Sequence, residues 1–206
     1  MTAITRRKQI LATANRLIAI LPAFFWLFLI FGFESTDMAV ITVLSALAHE
    51  AGHIACIFCF KKSKLKIKSV ISGLRISSPV GLSYDEEIIT YAAGPAINIF
   101  LWLLFTFLTP VIGYISQLIA IINLATAISN LMPIRGYDGY GIIRALLQKH
   151  STSSRPIILL SRISTVLVLL LCTLSLYLID RKGGGYWVFV IFFVSVINHI
   201  KEGLGE

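Results

Sequence analysis

Long apolar segments dominate this sequence and limit what it can fold into. A helix that crosses a bilayer needs about 20 mostly apolar residues, and six segments reach or approach that length. They are Leu17–Phe33, Met38–Phe60, Ile88–Ile112, Tyr114–Met132, Ile157–Ile179 and Gly185–Ile200. Charged residues make up only 14% of the chain, against about 25% in soluble domains. The sequence therefore predicts an all-α polytopic membrane protein with about six transmembrane helices, and it excludes a soluble or disordered chain.

The distribution of basic residues predicts the orientation of these segments. With six crossings and a cytoplasmic N-terminus, only Arg181 and Lys182 of the 18 Lys and Arg residues fall on the outer side. Basic residues accumulate in the cytoplasmic loops of membrane proteins. We therefore expect a multi-pass protein of the cell membrane with both termini cytoplasmic. The net charge of +8 is then an inner-side anchor, and no nucleic-acid partner is expected.

Two stretches on the predicted inner side are not apolar enough to span. Residues 64–78 alternate polar with apolar side chains and contain the turn pair Ser72-Gly73, which is typical of a short cytoplasmic β-hairpin. Residues 138–148 show the pattern of a short helix with Asp138 at or near its N-cap.

The second apolar segment contains an HExxH motif that runs from His49 through Glu50 to His53. Residues i and i+4 share one helix face, so the two imidazoles can bind one zinc ion while Glu50 serves as general base. Counted from Lys61, the histidines lie roughly 12–18 Å inside the cytoplasmic end of the segment. Ionisable residues at such depth usually mark function. The alternative is that these polar side chains only satisfy one another between helices, which does not explain their spacing.

A catalytic zinc site takes a third protein ligand and keeps one position open. Asp138 is the best candidate, because it follows an irregular turn rich in Pro and Gly on the same predicted side as His53. Broken backbone at membrane depth is tolerated only inside protein or along a watery cavity. An ordinary helix N-cap is the alternative for Asp138, and the two roles are compatible. Cys56 lies too far along an unbroken helix, and His199, near the inner end of the sixth segment, is a second candidate.

Asn130 lies in line with Ala120, Asn123 and Ala127, which form a stripe of small and polar residues at helical spacing. A side-chain amide near a metal can hold a substrate backbone or a developing oxyanion. The alternative for both asparagines is a hydrogen bond between helices.

The third apolar segment combines small residues with a proline near its inner end. Gly94 and Pro95 are typical of a kinked helix that packs closely against a neighbour. We expect Asn98, one turn further on, to form hydrogen bonds between helices.

These motifs together resemble the site-2 protease (M50) family of intramembrane zinc metalloproteases, and the chain is most similar in size to its minimal bacterial type, which includes the sporulation protease that releases a pro-sigma factor. The resemblance covers about residues 17–200 and rests on three signatures in the family's order. They are HExxH at His49 to His53, Gly94-Pro95 with Asn98, and Asn130 with Pro133, Asp138 and Gly139. Tyr137 and Tyr140 depart from the leucine and glycine common in the family, which concerns substrate fit more than metal binding.

The resemblance implies one zinc ion per chain held by His49, His53 and Asp138, with Glu50 as general base and Asn130 near the scissile peptide. It implies hydrolysis in or near the transmembrane segments of membrane-protein substrates, with the bilayer and a regulatory membrane protein as further partners. We expect residues 1–206 to form a single membrane-embedded domain without a PDZ or nucleotide-sensing domain. The alternatives are a non-proteolytic membrane protein that binds zinc or a client helix on the same fold, and a transporter.

Overall fold

The structure, a computed structural model, describes residues 35–60, 66–70, 73–77 and 82–182, and this part is mostly helical. The helices in it are α1 (Thr36–Cys59), α2 (Tyr84–Ile112), α3 (Tyr114–Asn130), α4 (Asp138–His150) and α5 (Arg155–Lys182). Between α1 and α2 in the chain, the strands β1 (Lys66–Val70) and β2 (Gly73–Ser77) pair antiparallel. In their register Lys66 is opposite Ser77 and Val70 is opposite Gly73.

The helical fold class predicted from the apolar segments is confirmed. The second to fifth predicted segments fall on α1, α2, α3 and α5. The first, Leu17–Phe33, and the sixth, Gly185–Ile200, lie outside the described residues, so the six-span count stays a prediction. Both strands fall within residues 64–78, but the residues between them, 71–72, also lie outside the described part, and the hairpin stays a prediction too.

Three of the described helices are long and apolar enough to cross a bilayer, namely α1, α2 and the Arg155–Tyr177 part of α5. The fourth apolar helix, α3, has 17 residues and spans about 26 Å, close to the roughly 30 Å of a hydrocarbon core. Large apolar side chains stand exposed on the outer faces, among them Phe107 at 78% and Val111 at 85%. Such broad apolar exposure is unusual in water, and it favours a lipid environment for these faces.

Capping residues set the ends of α2. At its start Glu86 accepts a hydrogen bond from the Ser83 backbone N–H, and Ser83 Oγ accepts one from the Glu86 N–H, which forms a capping box. The helix therefore begins at Tyr84, four residues before the predicted Ile88. The capping box stabilises a polar first turn, which a prediction from hydropathy leaves out. At the other end Gly113, with φ of 81°, caps α2 and begins α3.

Part of the core between these helices is polar. α2 contacts α1, α3 and α4; α1 also contacts α3, and α4 contacts α5. Buried polar side chains from three helices meet there, and they are Ser45, His49 and His53 of α1, Thr90 and Asn98 of α2, and Asn123 of α3. Because buried polar groups are costly unless they are hydrogen-bonded or bind a ligand, this core is the candidate functional site.

Candidate metal centre

Three ligand atoms converge where the start of α4 meets α1. The Nε2 atoms of His49 and His53, one turn apart on α1, lie 3.1 Å from each other. Asp138 Oδ2 lies 2.9 Å from His49 Nε2 and 3.3 Å from His53 Nε2, and the three side chains are 6%, 9% and 14% exposed. Among the described residues, these form the only group of three or more His, Cys, Asp or Glu placed to hold one metal ion. The structure thus brings together the three residues expected as ligands.

The other ring nitrogen of each histidine contacts an oxygen. His49 Nδ1 lies 2.6 Å from the side-chain oxygen of Asn98, and His53 Nδ1 lies 2.7 Å from the backbone oxygen of Thr90. Carbonyl oxygens only accept hydrogen bonds, so each Nδ1 carries a proton and donates it. In a neutral ring the Nε2 atom then presents a lone pair to the point where the three residues converge.

This arrangement fits a bound zinc ion. Three lone pairs face one another across about 3 Å, and Asp138 Oδ2 is buried without a hydrogen-bond partner among the described residues. Two imidazole nitrogens and a carboxylate oxygen are a common catalytic zinc ligand set, which leaves a fourth position open. Metal-binding histidines also usually donate the other ring N–H to a carbonyl or carboxylate, as His49 and His53 do here.

Gly94 lets the backbone of α2 lie directly against the two imidazoles. A Cβ atom at this position would lie 2.7 Å from His49 Nε2 and would also overlap the ring of His53. Gly94 and Pro95 are both buried. The close approach predicted for this segment is therefore part of the site, because it forms the wall behind the ligand nitrogens.

The turn between α3 and α4 positions Asp138. Gly136 has φ of 101°, a conformation that favours glycine. At Gly139 a Cβ atom would overlap the backbone oxygens of Leu131 and Met132, so the turn folds back tightly onto the start of α4. Asp138 is the first residue of α4 after the N-cap Tyr137, and this helix start has no side-chain capping bond. Asp138 therefore lies directly beside the N-cap, as the sequence pattern predicts, but it does not itself cap the helix.

Contacts with α5 hold this turn from the other side. The backbone N–H of Arg135 donates to Ser164 Oγ at 2.7 Å, and its guanidinium donates to Ser161 Oγ at 2.7 Å. The guanidinium carbon also lies 6.0 Å from the centre of the Tyr140 ring. Neighbouring Ile134 is fully buried. The turn that precedes Asp138 is thus held by hydrogen bonds to α5 and by the burial of Ile134.

Glu50 lies beside the ligands on α1. It is half-buried and within electrostatic range of His53, His49 and Asp138, and no hydrogen bond or ion pair joins it to another described residue. Cys56 is not part of the cluster, and its sulfur lies 3.8 Å from Thr90 Oγ1. A carboxylate that no described residue pairs with, beside a candidate metal centre, is suited to accept a proton from water.

Asn130 is the last residue of α3 and is half-buried. Its amide donates to the Thr126 carbonyl of the same helix at 3.0 Å, and no hydrogen bond joins it to the ligand residues in the described part of the chain. His199, the other candidate ligand, lies outside the described residues. The role of Asn130 near a substrate stays a prediction.

The sequence did not reveal which residues orient the histidines. Asn98 does form the expected hydrogen bonds between helices, to Ser45 and Asn123, but its contact with His49 was missed. Asn123 fits the interhelical alternative. Thr90 acts on His53 through a backbone oxygen, for which no side-chain signal exists.

Comparisons with known proteins support the fold. No protein-family model matches the sequence, and no curated protein is detectably similar to it. Among solved structures, the chain is similar to the site-2 protease from Methanocaldococcus jannaschii, with a TM-score of 0.63 and 18% sequence identity. The match covers 90% of this chain and 88% of that one. The resemblance predicted from the motifs therefore holds at the level of the fold.

Proposed function

We propose that this protein is an intramembrane zinc metalloprotease that hydrolyses peptide bonds in or near the transmembrane segments of membrane proteins. The observation that carries the proposal is the convergence of three lone pairs, from His49, His53 and Asp138, beside Glu50 and inside a bundle of apolar helices. The shared fold with a site-2 protease supports the same conclusion.

The chemistry needs one metal ion and two further side chains. His49, His53 and Asp138 would hold the zinc ion, which would supply a Lewis acid for the substrate carbonyl and would lower the pKa of a water towards about 7. Glu50 accepts the proton of the attacking water and delivers it to the leaving amine. Asn130 donates a hydrogen bond to the substrate backbone near the scissile bond. The substrate segment must unwind at this point, because a helical peptide bond keeps its carbonyl in an intrahelical hydrogen bond.

We further propose a placement in the cell membrane with both termini cytoplasmic. The exposed apolar faces of the long helices support the membrane placement, and the distribution of basic residues supports the orientation. The substrate is then a transmembrane protein, which reaches the site through the bilayer, and a membrane partner that gates this access belongs to the same proposal.

The test is purification of the full chain in detergent, with metal analysis and cleavage of a panel of single-span proteins. The unchanged protein should hold about one zinc per chain. Glu50→Gln should keep the zinc and lose cleavage, because it removes the proton acceptor but no ligand. Asp138→Ala should lose both.

Asp85→Ala is the matched control, since Asp85 is an exposed carboxylate that pairs with Lys149 at 2.6 Å, away from the ligands. It should keep both zinc and cleavage. Cleavage by Glu50→Gln would disprove the mechanism. If His199→Ala loses zinc and Asp138→Ala keeps it, the third ligand is His199 and not Asp138. Zinc binding without cleavage of any substrate would favour the non-proteolytic alternative.

A further inference from the structure

We propose that Asn98 is a positioning residue that holds His49 in the orientation and tautomer needed to bind the metal. The inference rests on the metal site proposed above and concerns a residue outside its ligand set. Asn98 is fully buried, and its side-chain oxygen accepts the hydrogen bond from His49 Nδ1 at 2.6 Å. This bond fixes the ring rotation and leaves the proton on Nδ1, so that Nε2 faces Asp138 with its lone pair.

The orientation of the Asn98 amide is itself fixed by its neighbours. Its nitrogen donates to Asn123 Oδ1 at 2.8 Å and to Ser45 Oγ at 3.1 Å. The Asn123 nitrogen in turn donates to the backbone oxygen of Ile119 at 2.9 Å. Because this last acceptor is a backbone carbonyl, Asn123 must present its oxygen to Asn98. Asn98 must then present its nitrogen to Asn123 and its oxygen to His49.

A flipped Asn98 amide would therefore be unfavourable, because it would set its oxygen against the Asn123 oxygen. Its NH₂ group would face His49 Nδ1, which could accept that hydrogen bond only if its proton moved to Nε2, the atom expected to bind the metal. A chain of hydrogen bonds thus runs from a backbone carbonyl of α3, through α2, to a ligand on α1. It makes the tautomer of His49 depend on the packing of all three helices.

The two histidines differ in this respect. His53 donates to a backbone oxygen, at Thr90, which a side-chain substitution does not remove. His49 donates to a side chain, so its orientation can be changed without altering any ligand. Asn98 is therefore a residue outside the ligand set whose substitution should change the orientation of a ligand histidine.

A purely structural role for Asn98 makes a different prediction. If it only joined helices, its loss would lower stability but leave the metal affinity of folded protein unchanged. Ser116 of α3 provides the comparison, because it is also fully buried and also joins α3 to α2. Its Oγ donates to the Phe105 carbonyl of α2 at 2.7 Å. This bond lies near the opposite end of α2 from Gly94, away from the ligands.

The experiment is a zinc competition titration with a chromophoric chelator on the detergent-purified full chain, together with the visible spectrum of the Co²⁺-substituted protein. Asn98→Leu should bind zinc about 10–100-fold more weakly than the unchanged protein and should alter the Co²⁺ spectrum, because an unrestrained imidazole is a poorer ligand. Asn98→Asp keeps an acceptor oxygen for His49 and should recover part of the affinity. Ser116→Ala should leave affinity and spectrum unchanged.

Zinc affinity and a Co²⁺ spectrum of Asn98→Leu that equal those of the unchanged protein would overturn the inference. An equal loss of affinity in Ser116→Ala would overturn it as well, since packing alone would then explain the effect. If Asn98→Leu does not fold, Asn98→Ala carries the same expectation. Absence of zinc from the unchanged protein would instead refute the proposed metal site, a result distinct from the other two.

Discussion

The ligand nitrogens of His49 and His53 lie against the backbone of α2 at Gly94, where there is no space for a side chain. Gly94→Ala should therefore displace the rings or push α2 away, at a cost of about 1–3 kcal/mol for the overpacked contact, and zinc per chain should fall sharply. Ala96→Val adds volume at an exposed position of the same helix and should retain its zinc. A normal zinc content in Gly94→Ala would show that α2 can move enough to make room for the added methyl group without disturbing the histidines.

Asn130 tests the substrate side of the proposal. Asn130→Ala should keep its zinc and lower cleavage about 100-fold, the size of effect expected when one hydrogen-bond donor to a developing charge is lost. Gln117→Ala removes an exposed amide elsewhere on α3 and should cleave normally. If Asn130→Ala also cleaves normally, the amide serves only its bond to the Thr126 carbonyl.

Single residues were predictable from the sequence where one helix alone determines the geometry. His49 and His53 share a face at any position of α1, because i and i+4 always do. Asp138 could be proposed from its turn and its predicted side of the membrane. The contact between Asn98 and His49 depends on how α2 is rotated against α1, and no spacing within either segment encodes that rotation.

At the scale of elements, the turn between α3 and α4 depends on α5. Ser164→Ala would remove the hydrogen bond from the Arg135 backbone N–H to Ser164 Oγ, a loss of about 0.5–1.5 kcal/mol for a typical hydrogen bond. Because Asp138 lies three residues further on, zinc affinity should fall along with the unfolding temperature. Ser175→Ala is the matched control, since within the described residues the hydroxyl of that buried serine donates to the Leu171 carbonyl of its own helix. Unchanged zinc affinity in Ser164→Ala would show that the turn holds its shape without α5.

The ends of the elements were predicted less well than their existence. The predicted fourth segment, to Met132, overran α3, because the chain already turns after Asn130. The predicted short helix ended at Gln148, whereas α4 runs to His150, after which the Ser151 backbone N–H donates to the Leu147 carbonyl and caps the helix. Hydropathy marks where a helix is apolar, but caps and turns decide where it ends.

For the whole molecule, metal removal should lower stability. The three ligands come from two distant parts of the chain, α1 and the start of α4, so an ion bound only in the folded state stabilises it by mass action, by about 2.7 kcal/mol at 100 times its Kd. Unfolding temperature measured with and without a chelator should differ for the unchanged protein and for Glu50→Gln. It should not differ for Asp138→Ala, which has lost the site. Equal unfolding temperatures with and without chelator for the unchanged protein would contradict the binding of a metal ion by these three residues.

Gly113 has a consequence for how such a protein is made. This one residue is the C-cap of α2 and the N-cap of α3, so a single residue joins the two apolar helices. In the proposed membrane placement, α2 and α3 should enter the bilayer together as one helical hairpin. A one-residue connection leaves no length of chain that could keep one helix outside the membrane while the other crosses it. A protease added from the outer side would find no linker to cut between them.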